Sequence, residues 1–268
     1  MKDKVVIVTG ASSGIGKATA IRFAEAGAKL VIAARSIEKL KETESEIINL
    51  GTEVLLQSTD VANEEDCKRL IDGTVEKFGR IDVLINNAGI SMRALLEEMD
   101  LSVIKNVMDI NFWGAVYCSK FALPHLLKQK GSIVGVSSIA GYVGLPARCG
   151  YSASKFAMHG FLESVRTENL EKGLHVLIAC PGFTASNIRN TALTADGSAQ
   201  GKSPREEGKM MTAEEVGNYL FIAVKKRKQK IVLTTEGKLA VFLSKFFPKV
   251  IQKAVFNKMK KEPDSPLK

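Results

Sequence analysis

Seven short runs rich in Val, Ile and Leu recur along the chain, each separated from the next by a segment of helical or longer length. The spacing predicts strands at Lys4–Val8, Leu30–Ala33, Val54–Ser58, Val83–Ile85, Ser132–Ser137, His175–Ala179 and Lys230–Leu233. Helices are expected at Ile15–Ala26, Ile37–Leu50, Glu64–Phe78, Leu101–Lys128 and Tyr151–Glu171. Strands alternating with helices build βαβ units around a parallel sheet. The runs are almost solidly apolar, as strands covered on both faces must be. The expectation is an α/β fold, a three-layer sandwich around a seven-stranded parallel sheet.

A chain of 268 residues can form one large core or two small ones. No linker interrupts the alternation, so residues 1–236 are read as one catalytic domain and 237–268 as a C-terminal extension. One segment breaks the rhythm. Residues 184–211 are rich in Ala, Thr, Asn, Gly and Ser and carry no long apolar run. A connection of that length is unusual inside a compact domain and reads as a substrate loop or lid.

The glycines of the first strand-to-helix turn narrow the chemistry. Thr9-Gly10-Ala11-Ser12-Ser13-Gly14-Ile15-Gly16 stands where the first strand gives way to a helix. Gly10 and Gly14 allow a tight turn with backbone close to a pyrophosphate, and Gly16 allows close helix packing. The N–H groups of Ser12, Ser13 and Ile15 and the helix N-terminus are then available to an anion. The second strand ends in Ala33-Ala34-Arg35-Ser36. NAD-binding domains of this architecture place an acid there, for the ribose hydroxyls. Arg35 suits a 2′-phosphate instead, which favours NADP(H), the alternative being a solvated cation at a helix start. Asp60 and Val61 follow the third strand, and Asn86-Asn87-Ala88-Gly89 follows the fourth. Both lie at carboxyl ends of strands, where open sheets bind ligands; the asparagines could equally be turn-formers.

Tyr151 and Lys155 stand four residues apart in a predicted helix and share a face. Reducing a carbonyl by hydride leaves negative charge on oxygen, which needs a proton donor. A phenol with an ordinary pKa near 10 is poorly matched to that task unless shifted, and a neighbouring ammonium would lower it. Tyr151 is therefore the candidate acid/base, Lys155 its perturber and a grip for the nicotinamide ribose, and Ser138 the group that polarises the substrate oxygen. Asn111, a polar residue amid Ile110, Phe112 and Trp113, is a candidate to hold a water that relays protons to Lys155.

These pieces together resemble the short-chain dehydrogenase/reductase family. TGASSGIG at 9–16, NNAG at 86–89, Asn111, the serine of GVSSIAG at 138, YSASK at 151–155 and PG at 181–182 carry the likeness. The resemblance implies a Rossmann-type fold with strand order 3-2-1-4-5-6-7. It implies a catalytic tetrad of Ser138, Tyr151, Lys155 and Asn111, and nicotinamide contacts from Pro181, Gly182 and Thr184. It also implies homodimers or homotetramers built on the two long helices. ADGSAQGKSP at 195–204, the KKRKQK run and KLAVFLSKFFP at 238–248 resemble the dehydrogenase/reductase member 7B and 11-beta-hydroxysteroid dehydrogenase-like branch, whose members tend to be membrane-associated and act on lipophilic alcohols or ketones.

The net charge of +9 sits almost wholly in residues 225–268, which carry 13 Lys/Arg against 3 Asp/Glu. From Gly237 onward the pattern predicts two amphipathic helices, with Leu239, Phe242, Leu243 and Phe246 on one and Val250, Ile251, Ala254 and Val255 on the other. Such a segment can lie on an anionic membrane, cap the pocket or pack on another subunit. Its lysines alternate with apolar residues, which argues against nucleic acid. Cys67, Cys118, Cys149 and Cys180 form no CxxC pair and the three histidines no metal spacing, so no metal is expected. The opening MKDKVVIVTG has no signal-peptide succession, and no run reaches the roughly 18 apolar residues of a membrane span. A cytoplasmic location, with peripheral membrane contact open, is the expectation. Two other functions fit the motifs: reduction of 3-oxoacyl thioesters, with the basic extension attracting an acidic carrier, and NADP(H) binding without turnover.

Overall fold

Val5 and Ile7 of β1 (Val5–Thr9) enter one apolar layer, and Val6 and Val8 enter another. The same split recurs in β4 (Val83–Asn86), where Leu84 faces one layer and Val83 and Ile85 the other. Both sides of the sheet are thus core, which is why the strands read as solid apolar runs. The remaining strands are β2 (Lys29–Ala34), β3 (Val54–Ser58), β5 (Ser132–Val136), β6 (His175–Cys180) and β7 (Lys230–Val232). All pairings are parallel and the order is β3-β2-β1-β4-β5-β6-β7. The computed structural model describes residues 1–204, 208 and 210–267.

One face is covered by α1 (Gly14–Ala24), α2 (Ile37–Asn49) and α7 (Ala213–Lys225), which bury Phe23, Leu40, Ile47, Leu220 and Phe221. Phe23 and Phe221 meet edge to face at 5.2 Å. The other face is covered by α3 (Glu64–Phe78), α5 (Gly114–Lys128) and α6 (Cys149–Glu168), which bury Leu70, Cys118, Leu126, Met158 and Leu162. α4 (Leu101–Met108) lies against α6 through a third apolar cluster of Met92, Met99, Val103 and Val107. This is the three-layer Rossmann-type sandwich expected from the sequence.

Three local departures have physical causes. The predicted helix over 101–128 is interrupted by a π-helical turn at Asp109–Trp113, between α4 and α5. Such widened turns occur often at functional sites. The reading of the sequence did not place α7. Its start carries a complete capping box, with Thr212 and Glu215 each bonded to the other's backbone N–H. The C-terminal pair forms as α8 (Thr235–Phe246) and α9 (Pro248–Lys260), with Pro248 in the first turn, where its missing N–H costs nothing. α8 begins two residues before the expected extension. Of the 184–211 loop, residues 205–207 and 209 lie outside the described residues, as does residue 268 of the extension. Isolated bridges join Thr184 to Met211, Leu193 to Met92 and Leu193 to Ala199. Among the described residues no helix is long and apolar enough to cross a membrane.

Candidate active site

β1 and β4 are neighbours, and the chain winds away from them in opposite directions along the sheet. A crevice opens at such a reversal, beyond the carboxyl ends of the strands. Gly10 and Asn87 stand on its two sides. Gly10 and Gly14 take φ of +66° and +53°, which favours glycine. A Cβ on Gly16 would lie 2.2 Å from the Gly10 carbonyl oxygen and 2.5 Å from Asn87 Nδ2, so helix and turn are in direct backbone contact. Asn87 Nδ2 braces the turn by donating to the carbonyls of Thr9 and Gly10 at 2.9 and 3.2 Å. The Ser13 side chain makes no cap bond, and the first turn of α1 has no acid. The helix N-terminus therefore presents uncapped N–H groups, which fits a pyrophosphate.

From this turn a groove of about 450 Å³ runs along the sheet edge. Gly10, Ser12, Ser13, Gly14, Ile15, Arg35, Asp60, Val61, Asn87, Ala88 and Gly89, all singled out in the sequence, line it. Gly16 lies behind them as packing. Arg35 is exposed at the groove, with Ser36 and Lys39 beside it. Lys39 went unnoticed in the sequence; only its place one turn into α2 offered a hint. Asn86 turns away, donating to Ser119 Oγ at 3.0 Å, and lines neither cavity.

The groove continues into a second cavity of about 150 Å³, the two sharing Ile15, Asn87, Gly89, Ser186 and Ile188. Ser138, Tyr151, Lys155, Pro181, Gly182 and Thr184 meet there. β5 delivers Ser138, whose Oγ accepts from Ala140 N at 3.2 Å. α6 delivers Tyr151 and Lys155, one turn apart. Asn111 lies in the π turn, fully buried. Its Oδ1 accepts from Ile90 N at 2.8 Å, and its Nδ2 donates to Ile90 O at 2.9 Å and Ser154 Oγ at 3.0 Å. That side chain has no N–H left for a relay water; it fixes the chain beside Gly89.

Placed so, the motifs can be compared with known proteins. The sequence profile of the family described as short chain dehydrogenase matches residues 4–196. The chain is a short-chain dehydrogenase/reductase. It is similar to dehydrogenase/reductase SDR family member 7B of Mus musculus, at 34% identity over 99% of this chain and 84% of that one. It is also similar to 11-beta-hydroxysteroid dehydrogenase-like 2 of Arabidopsis thaliana, at 43% identity over 69% of this chain and 60% of that one. Neither branch stands out. A solved short chain dehydrogenase/reductase from Burkholderia phymatum in complex with NAD shares 25% identity, with a TM-score of 0.83 over 93% of this chain and 95% of that one. Membership in the family carries NAD(P)(H)-dependent hydride transfer as the chemistry of this short-chain dehydrogenase/reductase.

In one respect this short-chain dehydrogenase/reductase corrects the sequence reading. Lys155 was expected to lower the Tyr151 pKa. Burial instead pushes the Tyr151 phenol above its usual value, with the Ser138 hydroxyl and the Arg148 charge pulling the other way. Lys155 Nζ stands 5.7 Å from the ring centroid and donates to the Val136 carbonyl at 3.0 Å. Burial brings Lys155 itself down to about 8. The hydrogen bond that Lys155 makes goes to that carbonyl and not to the phenol.

The sequence reading also missed Arg148, Arg189, Leu145 and Phe183, which line the smaller cavity. Arg148 stands just before α6, and its partner lies 114 residues away, at Glu262. No spacing rule reaches that far.

Proposed function

We propose that this protein is an NADP(H)-dependent oxidoreductase that interconverts a ketone and a secondary alcohol on a lipophilic substrate. The observation that carries this reading is the continuity of the two cavities: a groove fitted to a dinucleotide opens directly onto Ser138, Tyr151 and Lys155. The nicotinamide supplies or accepts the hydride when bound. Tyr151 gives a proton to the substrate oxygen in reduction and takes it in oxidation. Ser138 holds and polarises that oxygen, and orients the phenol. Lys155, brought to about 8 by burial, can replenish the Tyr151 proton near neutral pH. Asn111 keeps Gly89–Ile90 and the Ser154 turn of α6 in register with the site.

Arg35, Ser36 and Lys39 at the adenosine end of the groove favour a 2′-phosphate over a bare ribose. Leu145, Phe183 and Ile188 in the smaller cavity favour an apolar substrate body. These features support the reading that the chain lies near the 7B and 11-beta-hydroxysteroid dehydrogenase-like branch. Exposed Leu239, Phe242, Phe246, Phe247 and Val250, interspersed with Lys238, Lys245, Lys249 and Lys253, favour peripheral contact of α8 and α9 with an anionic membrane. Exposed Trp113 and Phe156 favour a homo-oligomer joined at the face of α5 and α6.

A screen of apolar ketones and alcohols with NADP(H) and NAD(H), on the full chain and on Tyr151→Phe, tests the reading. The expected result is turnover preferring NADP(H), with Tyr151→Phe retaining cofactor binding and losing turnover by about 10² or more. Turnover that survives in Tyr151→Phe overturns the acid/base assignment.

A further inference from the structure

The residues after α9 fold back onto the substrate side of the site. Glu262 is only 8% exposed. Its carboxylate meets Arg148 at 2.9 Å and Arg93 at 3.7 Å. Arg93 also donates to the Pro263 carbonyl at 2.6 Å, and a second Arg148 nitrogen reaches Met259 Sδ at 3.2 Å. Lys202, in the 184–211 loop, holds Asp264 at 2.6 Å. Ser265 Oγ donates to the Met259 carbonyl at 2.9 Å. Three basic side chains from three separate loops therefore hold one short C-terminal strap. A carboxylate this buried is tolerated only where charges and hydrogen bonds compensate it.

Arg148 has a second role in the geometry. It lines the smaller cavity together with Tyr151 and sits three residues before it, at the start of α6. One side chain thus borders the reaction chamber and holds the C-terminal strap. We propose that Arg148 and Glu262 together set the pH range in which Tyr151 works, Arg148 stabilising the phenolate and Glu262 limiting how strongly it does so. Both are positioning residues, acting through Tyr151.

The proposal rests on the reading of Tyr151 as acid/base. Facing the phenol are Ser138 from the end of β5, the Cys180 thiol from β6, Lys155 from the next turn of α6 and Arg148, with Arg189 of the 184–211 loop lining the same cavity. Burial raises the phenol, the Ser138 hydroxyl lowers it, the Arg148 charge lowers it and Cys180 raises it. A positive charge favours phenolate, and a carboxylate paired with that charge subtracts from the effect. The two substitutions must therefore act in opposite directions, which a purely structural contact would not do.

The test is alcohol oxidation with NADP⁺ by the full chain, followed from pH 6 upward until the rate levels off, where the rate rises as the phenolate forms. Arg148→Met, which keeps the apolar stem, should move the midpoint up by about half a pH unit or more. Glu262→Gln should move it down, and the double variant should follow Arg148→Met. Arg148→Lys keeps the charge and should hold the midpoint near wild type, which serves if Arg148→Met melts early. Shifts of equal sign in Arg148→Met and Glu262→Gln, or a midpoint unmoved in Glu262→Gln, overturn the proposal. Tyr151→Phe run alongside separates the two readings. Surviving pH-dependent turnover there sinks the acid/base role itself, whereas a dead Tyr151→Phe with unmoved midpoints sinks only the part played by Arg148 and Glu262.

Discussion

His159 Nε2 lies 2.7 Å from Ser137 Oγ and 3.7 Å from Cys180 Sγ, on the helical stripe that also carries Tyr151 and Lys155. Successive turns of α6 thus reach the substrate cavity, the Val136 carbonyl and the ends of β5 and β6. Ser137 precedes Ser138, and Cys180 precedes Pro181 and Gly182. His159 clamps both strand ends from behind. His159→Leu should lower kcat by about tenfold through displaced Ser138, a loss within the range of one misaligned polar contact. NADPH affinity should change little, and His159→Gln should recover part of kcat. Steady-state kcat and KM, with NADPH fluorescence titration, check this; a loss of kcat matched by an equal loss of cofactor affinity would point to general collapse.

Burial holds His159 down to about 4, and lowers His175 as well. The unfolded chain protonates these rings near 6.5. Between about pH 6.5 and 4 the unfolded state therefore binds more protons, and stability falls as the pH falls. Lys155 acts at the other end: with a folded value near 8, its burial penalty is relieved as pH rises from about 8 toward 10.5. Thermal melts from pH 4 to 8 should show Tm dropping on the acid side, with a shallower drop in His159→Gln.

Cofactor preference should follow the adenosine end of the groove. Arg35→Ser should lower kcat/KM for NADPH by about 10- to 100-fold, the scale of one charge-assisted phosphate contact, and leave NADH nearly unchanged. Lys39→Ala should add a smaller loss. Parallel kinetics with both cofactors decide the matter, and equal losses for NADH would remove the 2′-phosphate role.

Two glycines should behave oppositely when changed to alanine. Gly16→Ala forces a Cβ to 2.2 Å from a backbone oxygen, so the turn must open and dinucleotide binding should be lost or the fold weakened. Gly160, in the middle of α6, has nothing within 4 Å of a built Cβ. Gly160→Ala should raise stability by up to about 1 kcal/mol, the helix-propensity difference. Denaturant melts of both variants, with NADPH titration for Gly16→Ala, provide the comparison.

The fold was legible where periodic runs are bounded by cap and turn residues. β3 and α3 were read to their last residue, because α3 is bounded by an Asn63 side-chain cap and a left-handed Gly79. The groove residues were legible because the turn glycines and strand ends are local in sequence. α7 was overlooked although Thr212 and Glu215 announce it, since the preceding polar loop hid the Val216, Leu220, Phe221 and Val224 stripe. The site's electrostatics were not legible at all. Whether Lys155 faces the phenol or a carbonyl depends on a rotamer and on burial, and the tie from Arg148 to Glu262 spans most of the distance from α6 to the end of the chain.

The π turn at Asp109–Trp113 makes a sharper separation than any point substitution. A π turn is an α-helix carrying one surplus residue, so the helices on either side keep the phase they would have without it. Deleting Asn111 should therefore join α4 and α5 into one continuous rod, with Val103 and Val107 still against the apolar cluster beside α6 and Cys118 and Ala122 still in the core. The apolar packing would be kept, while Ile90 and Ser154 would lose the buried amide that bridges them. In this chain one residue of length is kept to tie the loop after β4 to α6 beside the site.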